Sequence, residues 1–204
     1  MNIFNLFPTA LGLYDLDRDF TEKEMKFIKG QETRSNMGNT TSVDNNILER
    51  KELKDLRKFV DGAVTEYFKA VYAPKQNTTL RITQSWCNYT EPGQFHHKHA
   101  HPNSFISGVL YPQADKETDK IYFYKDGWQQ LKTPTEEFNP YNSDSWWMEA
   151  YTGRMFIFPS HLTHMVETVQ GKDTRISLSF NTFPVGNFGD SSSLTGLNLE
   201  SATG

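Results

Sequence analysis

Four of this chain's six histidines fall within His96-His97-Lys98-His99-Ala100-His101, and the other two, His161 and His164, follow as a pair farther along. On an extended strand, side chains alternate with a period of two. A His-x-His step such as His99-x-His101, or His97-x-His99 one register earlier, therefore turns both rings to one face. Two imidazoles on one face, met by a third from a distant strand, can coordinate a transition metal through bonds of roughly 2.0–2.1 Å. Any one of these histidines alone reads as a surface or packed residue, and His161 is still expected on a loop surface; the gathering points to a metal. A second pattern follows His164. Arg175, Ser177, Ser179 and Asn181 alternate with Ile176, Leu178 and Phe180. The apolar set is predicted to pack on a core or helix layer, which leaves a polar strip led by an arginine. If that strip shares the interior with His164, the guanidinium needs an anion, because an unpaired buried charge is costly. The strand supplies no carboxylate; a ligand carboxylate gripped in bidentate fashion would.

These groups must be positioned by strands, and the second half of the chain reads as strands. Leu80–Tyr89, Asn103–Tyr111, Lys120–Tyr124, Met148–Tyr151, Met155–Pro159, His164–Val169 and Thr174–Phe183 are short, aromatic or alternating runs between turn residues, with Gln170–Asp173 expected to close a hairpin. With no helices interleaved, they predict an antiparallel sandwich or jelly roll. Ahead of them, residues 3–16 look extended, with a turn at Pro8, and could add an edge strand able to support a dimer. Thr21 and Glu24 make a capping box, Phe20 and Met25 a hydrophobic staple, and Gly30 a stop for a short helix. Residues 31–46 read as a long loop. A helix from about Glu49 to Val71 carries Leu53, Leu56, Val60, Ala63, Tyr67 and Val71 on one stripe. The chain divides into an extension with two helices (1–78), a β core (79–185) and a polar tail (186–204) that wraps the surface or stays mobile, all within one domain.

Composition narrows the function. A net charge of −4, with both signs interspersed, argues against broad nucleic-acid binding. No apolar run reaches the roughly 20 residues that span a bilayer. The start lacks a basic n-region, and the single Cys87 builds no disulfide framework, so a cytoplasmic protein is expected.

His99-Ala100-His101-Pro102-Asn103-Ser104, Ser107-Gly108-Val109-Leu110-Tyr111, Gly153 through Val166, and Arg175-Ile176-Ser177-Leu178-Ser179-Phe180-Asn181 form an ordered set over roughly residues 80–183. In that set the chain resembles the 2-oxoglutarate and Fe(II)-dependent oxygenase superfamily, and more narrowly a branch found in phages and bacteria. The resemblance implies a double-stranded β-helix, mainly β with N-terminal helices. It makes His99 the first iron ligand and His164 the distal one. Arg175 with Ser177 would hold the far carboxylate of 2-oxoglutarate, and Tyr111 or Asn88 would touch the cosubstrate. The family's usual step is His-x-Asp/Glu, and here His101 stands at the carboxylate position. Either His101 is the third ligand, which is favoured, or a carboxylate such as Asp126 reaches in. A three-histidine site also admits Zn(II). The implied reaction consumes Fe(II)-bound 2-oxoglutarate and O2, releases succinate and CO2, and hydroxylates a small-molecule or peptidyl substrate. Trp128, Trp146, Trp147 and Tyr151 are candidates for its entrance. Two rival readings are a cupin-like three-histidine dioxygenase that does not use 2-oxoglutarate, and a non-catalytic β-sandwich of a particle or attachment protein.

Overall fold

Strand β1 (Gly12–Asp15) and helix α1 (Glu22–Lys29) open the chain, followed by β2 (Thr33–Asn36), β3 (Asn39–Ser42) and helix α2 (Lys54–Tyr72). Then come β4 (Thr78–Thr90), β5 (His96–His99), β6 (Ile106–Gln113), β7 (Lys120–Tyr124), β8 (Ser145–Glu149), β9 (Arg154–Pro159), β10 (His164–Val166), β11 (Arg175–Phe188) and β12 (Leu197–Leu199). The computed structural model describes residues 1–75, 77–127, 131 and 133–200. Among these, the larger sheet has the order β1-β9-β6-β11-β4-β3-β2, with β12 on the end of β11, and the smaller has the order β5-β10-β7-β8. Every ladder between named strands is antiparallel.

Alternation along the central strands builds two apolar layers. Outward from the larger sheet, Leu110, Met155, Ile157, Leu178 and Phe180 pack on Leu56, Val60, Ala63, Val64 and Tyr67 of α2. Inward, Val109, Tyr111, Phe156 and Phe158 meet Ile121, Phe123 and Val166 of the smaller sheet. Each fully buried aliphatic or Phe side chain contributes roughly 1.5–3 kcal/mol. Gly108 in β6 is required by a close approach: the Phe180 ring lies where a Cβ would stand. Helix α1 begins as the capping box predicts, with the Thr21 hydroxyl accepting from the Glu24 N–H at 3.2 Å and the Glu24 carboxylate accepting from the Thr21 N–H at 2.8 Å. The Tyr67 hydroxyl donates to the Ala10 carbonyl at 2.9 Å, tying the segment before β1 to α2.

Several expectations change. Residues 31–46 are not a plain loop: β2 and β3 form a hairpin about Gly38 (φ +89°), and β3 pairs with β4 through Thr40–Tyr89 and Thr41–Asn88. Threonines at 33, 40 and 41 suit strands, but the surrounding Asn and Gly masked them. Helix α2 starts at Lys54 rather than Glu49, after two 3-10 turns (Ile47–Glu49 and Lys51–Leu53), where the Leu48 N–H is held by the Ser85 hydroxyl at 3.0 Å. Val71 is exposed, and Phe68 takes its place in the buried stripe. Residues 170–173 do not close a hairpin, because β10 lies in the smaller sheet and β11 in the larger. The segment between them crosses the sandwich, pinned by the Val169 N–H to the Gln94 carbonyl at 2.9 Å. The strand expected at Met148–Tyr151 instead runs Ser145–Glu149. Part of the tail is regular: β11 continues to Phe188 and β12 returns along it.

Candidate metal centre

Strand pairing brings the first two histidines together. His164 of β10 stands opposite His99 of β5, with a register shift between this pair and Val166–His96. His101 follows the end of β5, anchored by its N–H to the Ser160 carbonyl at 2.9 Å, and its ring still turns inward. The ring centroids lie 4.4 Å apart for His99–His164, and 5.1 Å apart for both His99–His101 and His101–His164. One nitrogen from each ring falls within 4.8 Å of the others.

The hydrogen bonds fix which nitrogen that is. Nδ1 of His99 faces the His97 carbonyl at 2.7 Å, Nδ1 of His164 faces the Leu162 carbonyl at 3.0 Å, and Nδ1 of His101 faces Oδ1 of Asn181 at 2.8 Å. Those oxygens only accept, so each Nδ1 carries the proton and each Nε2 is left as a lone pair. Nε2 of His101 and Nε2 of His164 stand 3.3 Å apart. Two facing lone pairs repel, and a cation between them relieves the repulsion. With metal–nitrogen bonds of about 2.1 Å, that spacing subtends roughly 100°, a normal angle for tetrahedral or octahedral coordination. Burial also keeps the rings neutral and ready to ligate. Desolvation, then the neighbouring histidines, pull His164 down to about 3; desolvation and His99 pull His101 down to about 4; His99 is lowered by its burial as well. The residues present therefore fit a divalent transition metal. Among the described residues no carboxylate joins the three rings, and Asp126 is exposed, so the alternative of a reaching carboxylate is not what the structure places there. His96 and His97 form a second group that shares His99, and His161 is exposed.

A cavity of about 740 Å³ opens onto the rings. Its inner wall is Val109, Tyr111, Ile121, Val166, Ser177, Ser179 and Asn181; Trp86 stacks on His101 at 5.7 Å. Its outer wall takes Arg34 and Asn36 from the hairpin, with Gln84 and Asn103. Arg175 and Asn88 sit on the same inner strand faces, beside the cavity rather than lining it, and Asn88 is the ladder partner of Ser177. Arg175 does have a protein anion, contrary to expectation. Its Nη1 meets Oδ1 of Asp119 at 3.1 Å, both side chains almost fully buried. Asp119 stands just before β7, on the opposite sheet, and sequence spacing could not reveal it. The pairing uses one edge of the guanidinium; among the described residues Nη2 is buried without a partner, as are the Tyr111 hydroxyl and Oδ1 of Asn88. Buried polar groups normally find partners, so three orphans side by side along this strip fit a polar ligand.

Of the aromatic entrance candidates, Trp146, Trp147 and Tyr151 lie around separate clefts and do not line the histidine cavity. The reason is that β8 is the far edge of the smaller sheet, two strands from His164. Trp128 lies outside the described residues. Trp86, Asp119 and the hairpin went unnoticed in the sequence; Trp86 alone carried a signal, since it shares alternation with Asn88.

Residues 84–181, from the middle of β4 to the inner end of the β11 strip, match a family model described as "Putative 2OG-Fe(II) oxygenase". Over these residues the chain is similar to the 2-oxoglutarate and Fe(II)-dependent oxygenases. No curated protein matches the sequence. Solved structures share the oxygenase's fold at low identity. The α-ketoglutarate dependent epimerase SnoN from nogalamycin biosynthesis aligns with TM-score 0.61 at 11% identity, over 90% of this chain and 80% of that one. HygX from Streptomyces hygroscopicus, with nickel, 2-oxoglutarate and hygromycin B bound, aligns with TM-score 0.55 at 10% identity, over 85% and 82%. A Pseudomonas putida prolyl-4-hydroxylase aligns with TM-score 0.54 at 10% identity, over 85% and 92%. The fold is a double-stranded β-helix, and the oxygenase uses Fe(II), 2-oxoglutarate and O2. Among the described residues, no helix is long and apolar enough to cross a membrane.

Proposed function

We propose that His99, His101 and His164 are the iron ligands, and that Arg175, Ser177, Tyr111 and Asn88 form the 2-oxoglutarate end of the site. One observation carries this: three Nδ1–H groups are all spent on oxygen acceptors, and the lone pairs they free converge beside a strip whose buried Arg175 Nη2 and Tyr111 hydroxyl lack partners. When bound, the metal, cosubstrate and O2 supply an oxidant that takes hydrogen from a C–H bond as 2-oxoglutarate becomes succinate and CO2. The chain's own part is positional. Three neutral imidazoles occupy one side and leave the cavity side open. The free edge of Arg175 and the Ser177 hydroxyl donate to the far carboxylate, Tyr111 adds a donor, and the Asn88 amide closes that end. Val109, Ile121 and Val166 keep water from the reacting centre.

The reaction we favour is hydroxylation. The substrate is a small molecule or a peptidyl group, by analogy with the neighbours that hold hygromycin B or are named for prolyl hydroxylation. The amide-rich outer wall of Asn36, Gln84 and Asn103 supports a polar one. The lone buried Cys87 supports a cytoplasmic setting. We take residues 79–185 as the catalytic core, with 1–78 as an extension that lends β1–β3 to its larger sheet and 186–204 as the tail.

The test is an anaerobic titration of metal-free protein with Fe(II) and 2-oxoglutarate, watching for the visible charge-transfer band of a chelated 2-oxoacid. A saturable band is expected, with 2-oxoglutarate affinity at least tenfold weaker in Arg175→Ala while iron stays bound. Unchanged cosubstrate affinity in that variant removes the role given to Arg175. Iron binding with no band removes the chelate.

A further inference from the structure

We propose that Asn181 is the positioning residue that makes His101 a metal ligand: its carboxamide oxygen holds the ring as the Nδ1–H tautomer, and Ser107 in turn locks the carboxamide. This rests on the reading of His101 as third ligand. A neutral imidazole has two tautomers, and only one leaves Nε2 free for a metal. For His99 and His164 the choice is made by backbone carbonyls, which cannot invert. For His101 it is made by a side-chain amide, which can. A half-turn of the Asn181 amide would present its NH2 to Nδ1, select the opposite tautomer and put a proton on Nε2.

The structure contains a device against that half-turn. Ser107 is the ladder partner of Asn181 across β6 and β11, and its hydroxyl meets the same Oδ1 at 2.8 Å. The neighbouring serines accommodate that direction. Ser104 can give its only hydroxyl proton to the Ile106 or Thr182 carbonyl, at 3.1 and 3.2 Å. Ser160 gives its own to a neighbouring serine, 2.7 Å from Ser104 and 2.8 Å from Ser107. With Ser160 donating to Ser104, the Ser107 hydroxyl donates to Oδ1 of Asn181, and its oxygen accepts at its contacts with Ser160 and Ser104 at 2.8 and 3.3 Å. Ser107, Ser160 and Asn181 are all buried, so water does not scramble this order. Trp86, stacked on the outer side of the His101 ring, limits its tilt.

The experiment measures Co(II) affinity calorimetrically and reads the His101 tautomer from long-range proton–nitrogen NMR correlations of the metal-free protein. In the wild type His101 is expected with the proton on Nδ1. Asn181→Leu should shift His101 towards Nε2–H and weaken Co(II) binding about 10–100-fold, the usual cost of losing such an outer partner. Asn181→Asp, a carboxylate of the same shape, should restore both readings. Ser107→Ala should weaken binding in the wild-type background and have no effect alongside Asn181→Asp, because a carboxylate has no wrong way round. That contrast carries the test even if Asn181→Leu does not fold. His101→Ala separates the two ideas. If it binds Co(II) as the wild type does, the three-histidine reading fails. If it loses Co(II) while Asn181→Leu keeps wild-type affinity and tautomer, or Ser107→Ala acts equally in both backgrounds, the positioning role of Asn181 is overturned.

Discussion

Tyr111, in its proposed role at the cosubstrate end, would show how a single buried atom serves a ligand at the fold's expense. Its ring is packed among Val109, Phe156 and Ile121, yet its hydroxyl has no partner among the described residues, and burial pushes its ionisation upward. A buried unpaired hydroxyl costs roughly 1–3 kcal/mol. Tyr111→Phe is therefore expected to leave the ligand-free protein as stable as the wild type or up to about 1 kcal/mol more so, while weakening 2-oxoglutarate binding several-fold. Urea unfolding of the metal-free protein and the iron–cosubstrate titration check the two halves. A loss of stability without change in cosubstrate affinity would make the hydroxyl structural. At this scale much of the proposed site was legible. His99, His101 and His164 stood out because imidazoles seldom cluster by chance, and Arg175 because its strand alternates cleanly. Asp119, which satisfies half of Arg175, was not legible, because its partnership exists only once two sheets face each other.

Strand β11 separates stability from chemistry by its two faces. Leu178 is fully buried against the α2 layer, and Ser177, its neighbour in sequence, looks into the cavity. Leu178→Ala should cost about 2–5 kcal/mol in unfolding free energy, by lost burial and the cavity left behind, without changing metal or cosubstrate affinity in the folded fraction. Ser177→Ala should do the reverse: a change within about 1 kcal/mol of stability, and weaker 2-oxoglutarate binding. Denaturation curves set beside binding isotherms decide; a variant that moved both quantities equally would show the faces to be coupled. The same alternation explains what sequence reading could see of the elements. Period-two patterns found β4 and β11, apolar runs bounded by turn residues found β6 and β9, and the capping box found α1. They could not say which strand pairs with which, so the 170–173 crossing looked like a hairpin. They also missed β2 and β3, whose Thr, Asn and Gly residues are compatible with either a loop or a strand.

The whole molecule is a sandwich with helices on one outer face and its proposed chemistry in the inner gap. The apolar half of that gap, around Phe156 and Phe158, holds the sheets together; the polar half, around His164 and Ser177, is left open. Jelly-roll architecture was legible because strands follow one another without helices between them, but depth in the gap emerges only from closure. The facing of His99 and His164 across β5 and β10 has a temporal meaning as well. Their ladder joins strands far apart in the chain, and such non-local contacts form late, after loop-closure entropy has been met. A metal seat that exists only after this closure cannot help the chain over its folding barrier; it can only hold the finished structure shut. At about 100 times its dissociation constant a bound metal stabilises the native state by about 2.7 kcal/mol. All of it should therefore appear as unfolding slowed about a hundredfold, with refolding unchanged. Stopped-flow denaturant jumps with and without Co(II) would show this, and a faster refolding limb would mean that the two strands meet early. The metal would then be a latch on the folded molecule, setting how long it survives rather than how fast it is made.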